Sequence, residues 1–363
     1  MKQKTAVVLF NLGGPDSPAA IRPFLVNLFS DPAIIEAPGL VRWFLARLIA
    51  WRRAKPAGEI YAHLGGGSPL LANTEAQARA LEEALGREYK VFISMRYWKP
   101  RADEIAEAVR AWGAERVVLL PLYPQFSTTT TGSSVAEWRK AARSAGLDAP
   151  TNSVCCYPAD AGLVEAMADL TEPLLAEARR VGTARVLFSA HGLPEKIIER
   201  GDPYQWQVET TAAALAERLG LGRDEWRVCY QSRVGPLQWI GPSTEDEIAD
   251  AGADKTALVV VPVAFVSEHS ETLVELDIEY RALARDAGVT AYLRVPTVDA
   301  SRKFITGLAH LVRNAAGADV DPTTGDWTNE GGGRICPASH GRCPFARKTN
   351  GRLTSQPASA DKV

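Results

Sequence analysis

The sequence predicts an α/β fold of doubly wound, Rossmann-like parallel sheets. Along most of the 363 residues, short runs rich in β-branched side chains alternate with stretches of helical periodicity. Several runs are almost entirely apolar, which is typical of parallel strands covered by helices on both faces. The predicted strands are Thr5–Asn11, Lys90–Met95, Arg116–Leu122, Arg185–Ala190, Arg227–Gln231, Ala257–Val263 and Thr290–Val295.

The number of strand–helix units favours two sheets over one, and therefore two domains. We expect them over residues 1–158 and 159–317, with the boundary near Ala159, after a strand that ends at Cys156. The last helix is expected to pack back on the N-terminal domain. Residues 318–363 are rich in Gly, Ser, Thr and Pro, which predicts a tail that is flexible except where something holds it. The periodicity between the strands predicts helices, for example Ala102–Trp112, Val135–Ala145, Leu163–Arg180, Tyr204–Leu219, Thr272–Ala287 and Ser301–Ala315.

Composition and charge argue against several classes of protein. With 46% hydrophobic and 23% charged residues, the chain is expected to be globular with substantial cores. A formal net charge of −2 gives no basic surface for nucleic acid. The start of the chain lacks a signal-peptide pattern, and no apolar stretch is long enough to span a bilayer. We therefore expect a cytoplasmic protein.

One segment suggests a surface contact. Between residues 40 and 53, large apolar and aromatic side chains are interleaved with four arginines. A helix with this pattern can lie peripherally on the inner face of a membrane or line the lip of an apolar pocket. It can equally be an amphipathic helix packed on its own domain, and the residues leave these alternatives open.

The unusual motifs of the chain follow the predicted strands. In open parallel sheets, ligands bind outside the carboxyl ends of the strands, where loops and helix N-termini converge. Six such loops can therefore line one cleft. They begin at Asn11-Leu12-Gly13-Gly14-Pro15, Arg96-Tyr97, Tyr123-Pro124-Gln125-Phe126-Ser127, Ser189-Ala190-His191-Gly192-Leu193-Pro194, Gln231-Ser232-Arg233-Val234-Gly235-Pro236 and Phe265-Val266-Ser267-Glu268-His269-Ser270-Glu271.

Two of these loops carry side chains suited to metals and protons. His191 follows an apolar strand and precedes a Gly-Leu-Pro turn, so its ring should project from the strand end. A lone histidine is more often structural than functional, and the residue alone does not decide between them. Glu268, Glu271, Glu275 and Glu279 recur at a spacing of three or four, so they share one face of a helix that starts at the cleft.

Together the motifs resemble those of the ferrochelatase family, from Val7 to about Leu311. Each motif is weak by itself, but the ordered set is specific. The set also includes Leu64-Gly65-Gly66-Gly67-Ser68-Pro69 and Glu271-Thr272-Leu273. The resemblance implies a chelatase-type fold and a lyase that inserts Fe²⁺ into protoporphyrin IX, the terminal step of haem b synthesis. It implies that His191 and Glu271 bind the metal and remove the pyrrole protons. It also implies porphyrin contacts at Leu12, Arg53, Tyr61, Ser68, Tyr123 and Trp239.

The reaction's chemistry agrees with these residues. Metal insertion releases two pyrrole protons, and an imidazole with an ordinary pKa near 6.5 is a suitable base at neutral pH. Imidazole and carboxylate are also acceptable ligands for Fe²⁺. Glu268, His269 and Glu275 extend from the pair and predict a path for iron entry or proton exit.

The cysteines suggest a second metal group. Cys336 and Cys343 lie in the tail, outside any apolar pattern, among five cysteines in the chain. Some ferrochelatases hold a [2Fe–2S] cluster through C-terminal cysteines and one internal cysteine, and the resemblance implies such a structural cluster here. Four ligands are needed. The internal position used in animal enzymes is Thr128, so Cys155 and Cys156 are the candidates to complete the set, with His340 as a substitute.

Three readings compete with iron insertion into protoporphyrin. The substrate can be coproporphyrin, the metal can be cobalt or another ion, or the chain can be a non-catalytic porphyrin or haem carrier. A carrier needs the apolar pocket but not both His191 and Glu271, so that pairing favours an enzyme. The sequence leaves the oligomeric state open, a homodimer included.

Overall fold

The computed structural model describes residues 3–233, 235, 237–318 and 327–346. The fold class predicted from the sequence is confirmed, because every strand pairing in this part of the chain is parallel and two separate sheets are present. The strands, numbered in chain order, are β1 Thr5–Asn11, β2 Tyr89–Met95, β3 Arg116–Pro121, β4 Thr151–Val154, β5 Ala184–His191, β6 Trp226–Gln231, β7 Ala257–Pro262, β8 Tyr292–Arg294 and β9 Trp327–Thr328.

The helices cover the faces and ends of the two sheets. A single 3₁₀ turn, Pro18–Ala20, precedes the first α-helix, and a π-helix, Glu271–Glu279, runs directly into α10. The α-helices are α1 Ile21–Phe29, α2 Gly39–Ala62, α3 Leu70–Leu85, α4 Ala102–Trp112, α5 Thr131–Ala145, α6 Ala161–Val181, α7 Glu195–Glu199, α8 Tyr204–Arg218, α9 Thr244–Ala253, α10 Tyr280–Ala287 and α11 Arg302–Gly317.

The N-terminal sheet has the strand order β2-β1-β3-β4-β9. All seven residues of β1 are buried, because it lies between β2 and β3 with helices on both faces. Asn11, at the carboxyl end of β1, lies opposite Met95 of β2. The loops that follow these strands therefore meet at one edge of the sheet.

The C-terminal sheet has the order β6-β5-β7-β8. Its register places His191 opposite Gln231 and Ser189 opposite Pro262, so the carboxyl ends of three strands are level. This brings the His191 loop, the Gln231 loop and the loop after β7 to the same edge.

A continuous apolar core joins the two sheets. One buried cluster includes side chains of β1 and β3 together with those of β5 and β7, and α3, α6, α8 and α11 contribute to it. Helix α11 packs against both α6 and α3, and Arg313 donates from Nη2 to the carbonyl oxygen of Ala84 at 2.7 Å. The division into domains at residue 158 stays a prediction.

Several local expectations need correction. Strand β4 ends at Val154, whereas the sequence suggested Cys156. The tail contributes β9, which pairs with β4 and was not predicted. Four helices, α1, α3, α7 and α9, were not among those named from the sequence. The predicted tail residues 319–326 and 347–363 lie outside the described part of the chain. Among the described helices, none combines the length and apolarity that crossing a bilayer requires.

Candidate active site

His191 and Glu271 are in direct contact. His191 is the last residue of β5, and Glu271 is the first residue of the π-helix that follows β7. The Nδ1 atom of His191 lies 2.9 Å from Oε2 of Glu271, within hydrogen-bond distance. Their side chains are 38% and 26% exposed, so the pair is accessible to solvent and is not sealed in the core.

The contact changes the acidity of both groups. Burial by itself favours the neutral imidazole, but the charge and hydrogen bond of Glu271, aided by Glu275, raise the pKa of His191 above its ordinary value. Burial also disfavours the ionised carboxylate. His191 outweighs that effect and, together with His269, holds the pKa of Glu271 well below its ordinary range. The pair is therefore a strengthened imidazole base beside a carboxylate that stays ionised.

Two more side chains surround Glu271. The Nε2 atom of His269 lies 3.7 Å from Oε2 of Glu271, and its Nδ1 lies 3.2 Å from the carbonyl oxygen of Ser267. Tyr61, at the end of α2, comes from the N-terminal half of the chain. Burial, together with the charge of Glu271, raises the pKa of Tyr61 to about 12, so its hydroxyl remains protonated. The site is thus built from both halves of the chain.

Glu275 continues the acidic face away from the pair. Its Oε2 accepts hydrogen bonds from Nε2 of Gln231 at 3.0 Å and from Oγ of Ser232 at 2.5 Å. Burial and the charge of Glu271 raise the pKa of Glu275. The hydroxyl of Tyr280 lies 3.1 Å from Oε1 of Glu275 and 2.9 Å from Oε1 of Glu245. A chain of carboxylates and one phenol therefore runs from the cleft to α9.

Glu268 lies apart from this chain. Its Oε1 accepts hydrogen bonds from Nη1 of Arg294 at 2.5 Å and from the backbone nitrogen of Thr297 at 3.0 Å. Within the described residues, no hydrogen bond or ion pair joins it to His191 or Glu271. The acidic stripe expected from the spacing is therefore divided, because the helix begins only at Glu271 and Glu268 belongs to the preceding loop.

The residues predicted to contact porphyrin come from both halves of the chain. Leu12 packs with Tyr61 in one apolar cluster, and Ser68 contacts Gly14 so closely that a Cβ on Gly14 would lie 2.5 Å from the serine Oγ. Trp239 lies beside the His191 loop through a bridge with Pro194.

Two other members of the predicted set differ in exposure. Arg53 is exposed on α2. The hydroxyl of Tyr123 is buried beside the hydroxyl of Ser134, and burial raises its pKa well above the ordinary value.

The structure also gathers the four predicted sulfur ligands. Cys155, Cys156, Cys336 and Cys343 share one buried cluster with Phe126 and Phe345. A hydrogen bond from Cys336 lowers the pKa of Cys343 to about 7. Among the described residues, no three His, Cys, Asp or Glu side chains are arranged to hold a single metal ion. The ring of His340 packs against Trp206 at the edge of this cluster, and its carbonyl oxygen accepts a hydrogen bond from the backbone nitrogen of Cys343. Cys229 is buried in β6.

Sequence reasoning missed two residues that position the pair. Gln231 donates from Nε2 to the carbonyl oxygen of Glu271 at 3.0 Å, and its Oε1 accepts from Oγ of Ser189. The hydroxyl of Tyr204 donates to the carbonyl oxygen of His191 at 3.0 Å. Gln231 ends a predicted strand and begins a motif, so its place could have been noticed. Tyr204 lies in a helix and carries no sequence signal.

Solved structures of chelatases have a similar fold. SirB from Bacillus subtilis with Fe³⁺ has a TM-score of 0.50 and 14% sequence identity, covering 87% of this chain and 96% of that one. The sirohydrochlorin chelatase SirB from Bacillus subtilis subspecies spizizenii, in complex with cobalt, has a TM-score of 0.51 and 13% identity, covering 86% and 95%. At these identities the similarity shows the fold alone.

Sequence relatives are much closer. A ferrochelatase from Caulobacter vibrioides is 55% identical over 349 residues, covering 95% of this chain and 98% of the relative. One from Phenylobacterium zucineum is 52% identical over 345 residues, covering 94% and 97%. The sequence profile named Ferrochelatase matches residues 4–316. The resemblance inferred from the strand-end motifs is thereby confirmed, and the chain belongs to the ferrochelatase family.

Proposed function

We propose that this protein is a lyase that inserts Fe²⁺ into protoporphyrin IX, releases two pyrrole protons and completes haem b synthesis. Membership of the ferrochelatase family supports the activity. The observation that carries the proposal is the 2.9 Å contact between His191 and Glu271 at the strand edge where ligands bind in such sheets. A porphyrin carrier would not need a base and a carboxylate held against each other.

The pair supplies a base with a defined orientation. Because Nδ1 of His191 faces Glu271, the neutral ring donates its Nδ1 proton to the carboxylate and keeps the lone pair on Nε2. That nitrogen takes the pyrrole proton, and Glu271 balances the charge that forms on the ring. Both side chains are also acceptable ligands for the incoming Fe²⁺. Tyr204 and Gln231 fix the backbone on either side of the contact.

Glu275 provides the next proton acceptor. It lies one helical turn beyond Glu271, and hydrogen bonds from Gln231 and Ser232 hold its carboxylate. Tyr280 links it to Glu245 on α9. This route carries protons out or iron in, with His269 assisting beside Glu271. Glu268 is the weaker member of the predicted path, since Arg294 already engages it.

The test compares two histidine variants. In His191→Ala, we expect porphyrin binding to persist, because the ring removed supplies no apolar wall. Fe²⁺ insertion should fall about 10²- to 10⁴-fold, the usual contribution of a general base. His310→Ala removes an exposed histidine on α11 and serves as the matched control. Unchanged turnover in His191→Ala would overturn the assignment. Parallel assays with coproporphyrin, and with Co²⁺, decide the substrate and the metal.

The four clustered cysteines support a structural [2Fe–2S] cluster as part of this proposal. The residues present match the group in number and type, because a cluster takes four thiolates and β4 has ended before Cys155 and Cys156. Nε2 of Gln207 lies 3.1 Å from Cys336 Sγ and 3.4 Å from Cys156 Sγ. Among the described residues no three such side chains are arranged around one metal ion, so the sulfurs would have to move closer together to hold a cluster. When bound, the cluster would tie the tail to the body and take no part in metal insertion.

The cluster test is spectroscopic. Protein purified without oxygen should show the visible absorption of a [2Fe–2S] centre, and Cys343→Ser should lose it. Cys229→Ser changes a buried cysteine outside the group and should keep it. A colourless wild-type protein would refute the cluster.

Helix α2 supports a peripheral membrane contact, with the protein otherwise in the cytoplasm. Leu40, Phe44 and Trp51 are 80%, 66% and 63% exposed, and the guanidinium of Arg47 lies 3.7 Å from the ring centre of Trp43. Exposed aromatic side chains beside arginines suit the interface of an anionic bilayer. We expect co-sedimentation with anionic vesicles to weaken in Trp51→Ser. Val181→Ser, which alters an exposed apolar residue elsewhere, should bind as the wild type does.

A further inference from the structure

Four buried oxygen atoms behind the active-site loop have no hydrogen-bond partner in the described residues. They are Oε2 of Glu268, Oγ1 of Thr297, Oδ1 of Asp299 and Oγ of Ser301. Thr297 is only 6% exposed. Buried polar atoms are nearly always paired, so four unpaired oxygens on neighbouring segments call for a ligand that the protein itself does not supply.

Hydrogen bonds hold the two segments against each other. The backbone nitrogen of Thr297 donates to Oε1 of Glu268 at 3.0 Å, and that of Asp299 donates to the carbonyl oxygen of Val266 at 3.0 Å. The buried side chain of Gln77 donates from Nε2 to the carbonyl oxygens of both Val266 and Asp299. Glu268 and residues 297–301 are therefore one packed unit, and their free oxygens belong to the same region.

The charge of this region is negative. Three carboxylates, those of Glu268, Asp277 and Asp299, lie with two guanidinium groups, those of Arg294 and Arg281, which leaves one negative charge. Burial, followed by the charge of Glu268, raises the pKa of Asp299, so the two carboxylates repel each other across the unit. Within the described residues, neither Oε2 of Glu268 nor Oδ1 of Asp299 accepts a hydrogen bond that would relieve this repulsion.

The backbone is also strained at this point. Asp299 has a φ of +43°, in the left-handed region that few residues other than glycine adopt. Strained residues persist where the surroundings hold them, and they are frequent at ligand-binding positions. The backbone nitrogen and the carbonyl oxygen of Asp299 are both hydrogen-bonded, so the backbone from which its side chain extends is fixed in position.

We propose that Glu268, Thr297, Asp299 and Ser301 form a site for a hard divalent cation, Ca²⁺ or Mg²⁺, separate from the metal-insertion pair. The donor atoms are all oxygens, two from carboxylates and two from hydroxyls, which is the set that hard cations prefer. A cation shared by Glu268 and Asp299 removes their repulsion and gives the hydroxyls a partner. Because Glu268 directly precedes His269, the bound ion would also fix the loop that leads into Glu271.

The experiment measures unfolding of the full chain, depleted of divalent ions, in the presence of CaCl₂, MgCl₂, NaCl or KCl at matched ionic strength. A ligand at about 100 times its dissociation constant should raise the unfolding temperature of a chain this size by roughly 3–4 °C. Isothermal titration with CaCl₂ and MgCl₂ gives the affinity and the stoichiometry. No porphyrin or iron is needed, so the result is independent of the proposed enzymatic activity.

Three variants make the test specific. Asp299→Asn keeps a side chain that tolerates the left-handed backbone but loses the charge, and Thr297→Val keeps the shape but loses the hydroxyl. Thr131→Val removes a buried, unpaired hydroxyl far from the unit and is the matched control. We expect the divalent shift in the wild type and Thr131→Val, and its loss in the other two.

Each other result overturns the proposal. If no cation shifts the wild type, water alone fills the region. If Asp299→Asn keeps the full shift, divalent ions act elsewhere on the surface. If Na⁺ or K⁺ stabilises the wild type as well as the divalent ions do, the site does not select a divalent charge.

Discussion

Arg294 joins the loop before the active site to the π-helix, and its removal should be costly. Its side chain is 8% exposed. It donates from Nη1 to Oε1 of Glu268 at 2.5 Å and from Nε to Oδ1 of Asp277 at 3.0 Å. Arg294→Met preserves the apolar stem but leaves two carboxylates without their common cation. Breaking a buried ion pair in this way costs about 3–5 kcal/mol in the free energy of unfolding.

The structure places the expected cost near the lower limit of that range. Glu268 keeps the hydrogen bond from the backbone nitrogen of Thr297, and Asp277 keeps a contact with Arg281 at 3.5 Å. We therefore expect Arg294→Met to lose about 3 kcal/mol. Urea denaturation followed by tryptophan fluorescence measures the loss directly.

A matched arginine provides the control. Arg285 also contacts an aspartate, Asp286, at 2.8 Å, but the two side chains are 75% and 67% exposed. Exposed pairs contribute about 0–1 kcal/mol, because water screens them. Arg285→Met should therefore leave the free energy of unfolding almost unchanged. If both variants lose the same amount, burial does not determine the strength of the Arg294 contacts and the reasoning fails.

Three further predictions address other parts of the structure. Tyr204→Phe removes the donor to the carbonyl oxygen of His191 and should lower the free energy of unfolding, measured by urea denaturation, by about 1 kcal/mol. An unchanged free energy of unfolding would show that this hydrogen bond does not form in solution. Burial raises the pKa of Glu330 to about 7, so the folded protein holds this proton more tightly than the unfolded chain does. The resulting contribution to the free energy of unfolding is complete below pH 4.5 and is lost as the pH rises through 7. Glu330→Gln should therefore flatten the decline in stability measured between pH 5 and 8, and an unchanged slope would contradict this. Gly252→Ala places a Cβ 2.3 Å from the Ala287 carbonyl oxygen, so α9 and α10 must separate and the melting temperature should fall, although alanine ordinarily stabilises a helix.

The apolar strands could be predicted because their composition reflects their position. β1 and β7 are buried along their whole length, so nearly every residue in them is apolar and the run stands out. β4 and β9 are shorter and hold polar residues such as Asn152 and Thr328. Their pairing depends on the neighbouring strand and the tail, which local sequence does not encode.

The site was predictable at its centre and less so around it. Parallel strands align their carboxyl ends, so motifs after β5 and β7 had to meet, and His191 and Glu271 lie in contact. The side chains that orient them come from other elements and bind to backbone atoms. The hydroxyl of Tyr204, for example, donates to the carbonyl oxygen of His191. A carbonyl oxygen looks the same at every residue in a sequence, so nothing marks it as a binding partner.

The acidic stripe shows most clearly what a spacing rule can miss. Glu268, Glu271 and Glu275 are separated by three and four residues, and an α-helix would place all three on one face. The chain instead begins a π-helix at Glu271, and Gln231 donates both to the carbonyl oxygen of Glu271 and to the carboxylate of Glu275. Glu268 remains in the loop and turns to Arg294. The acidic motif is therefore divided: Glu271 contacts His191 and Glu275 is held beside it by Gln231, whereas Glu268 belongs to a separate buried unit with Arg294 and Thr297.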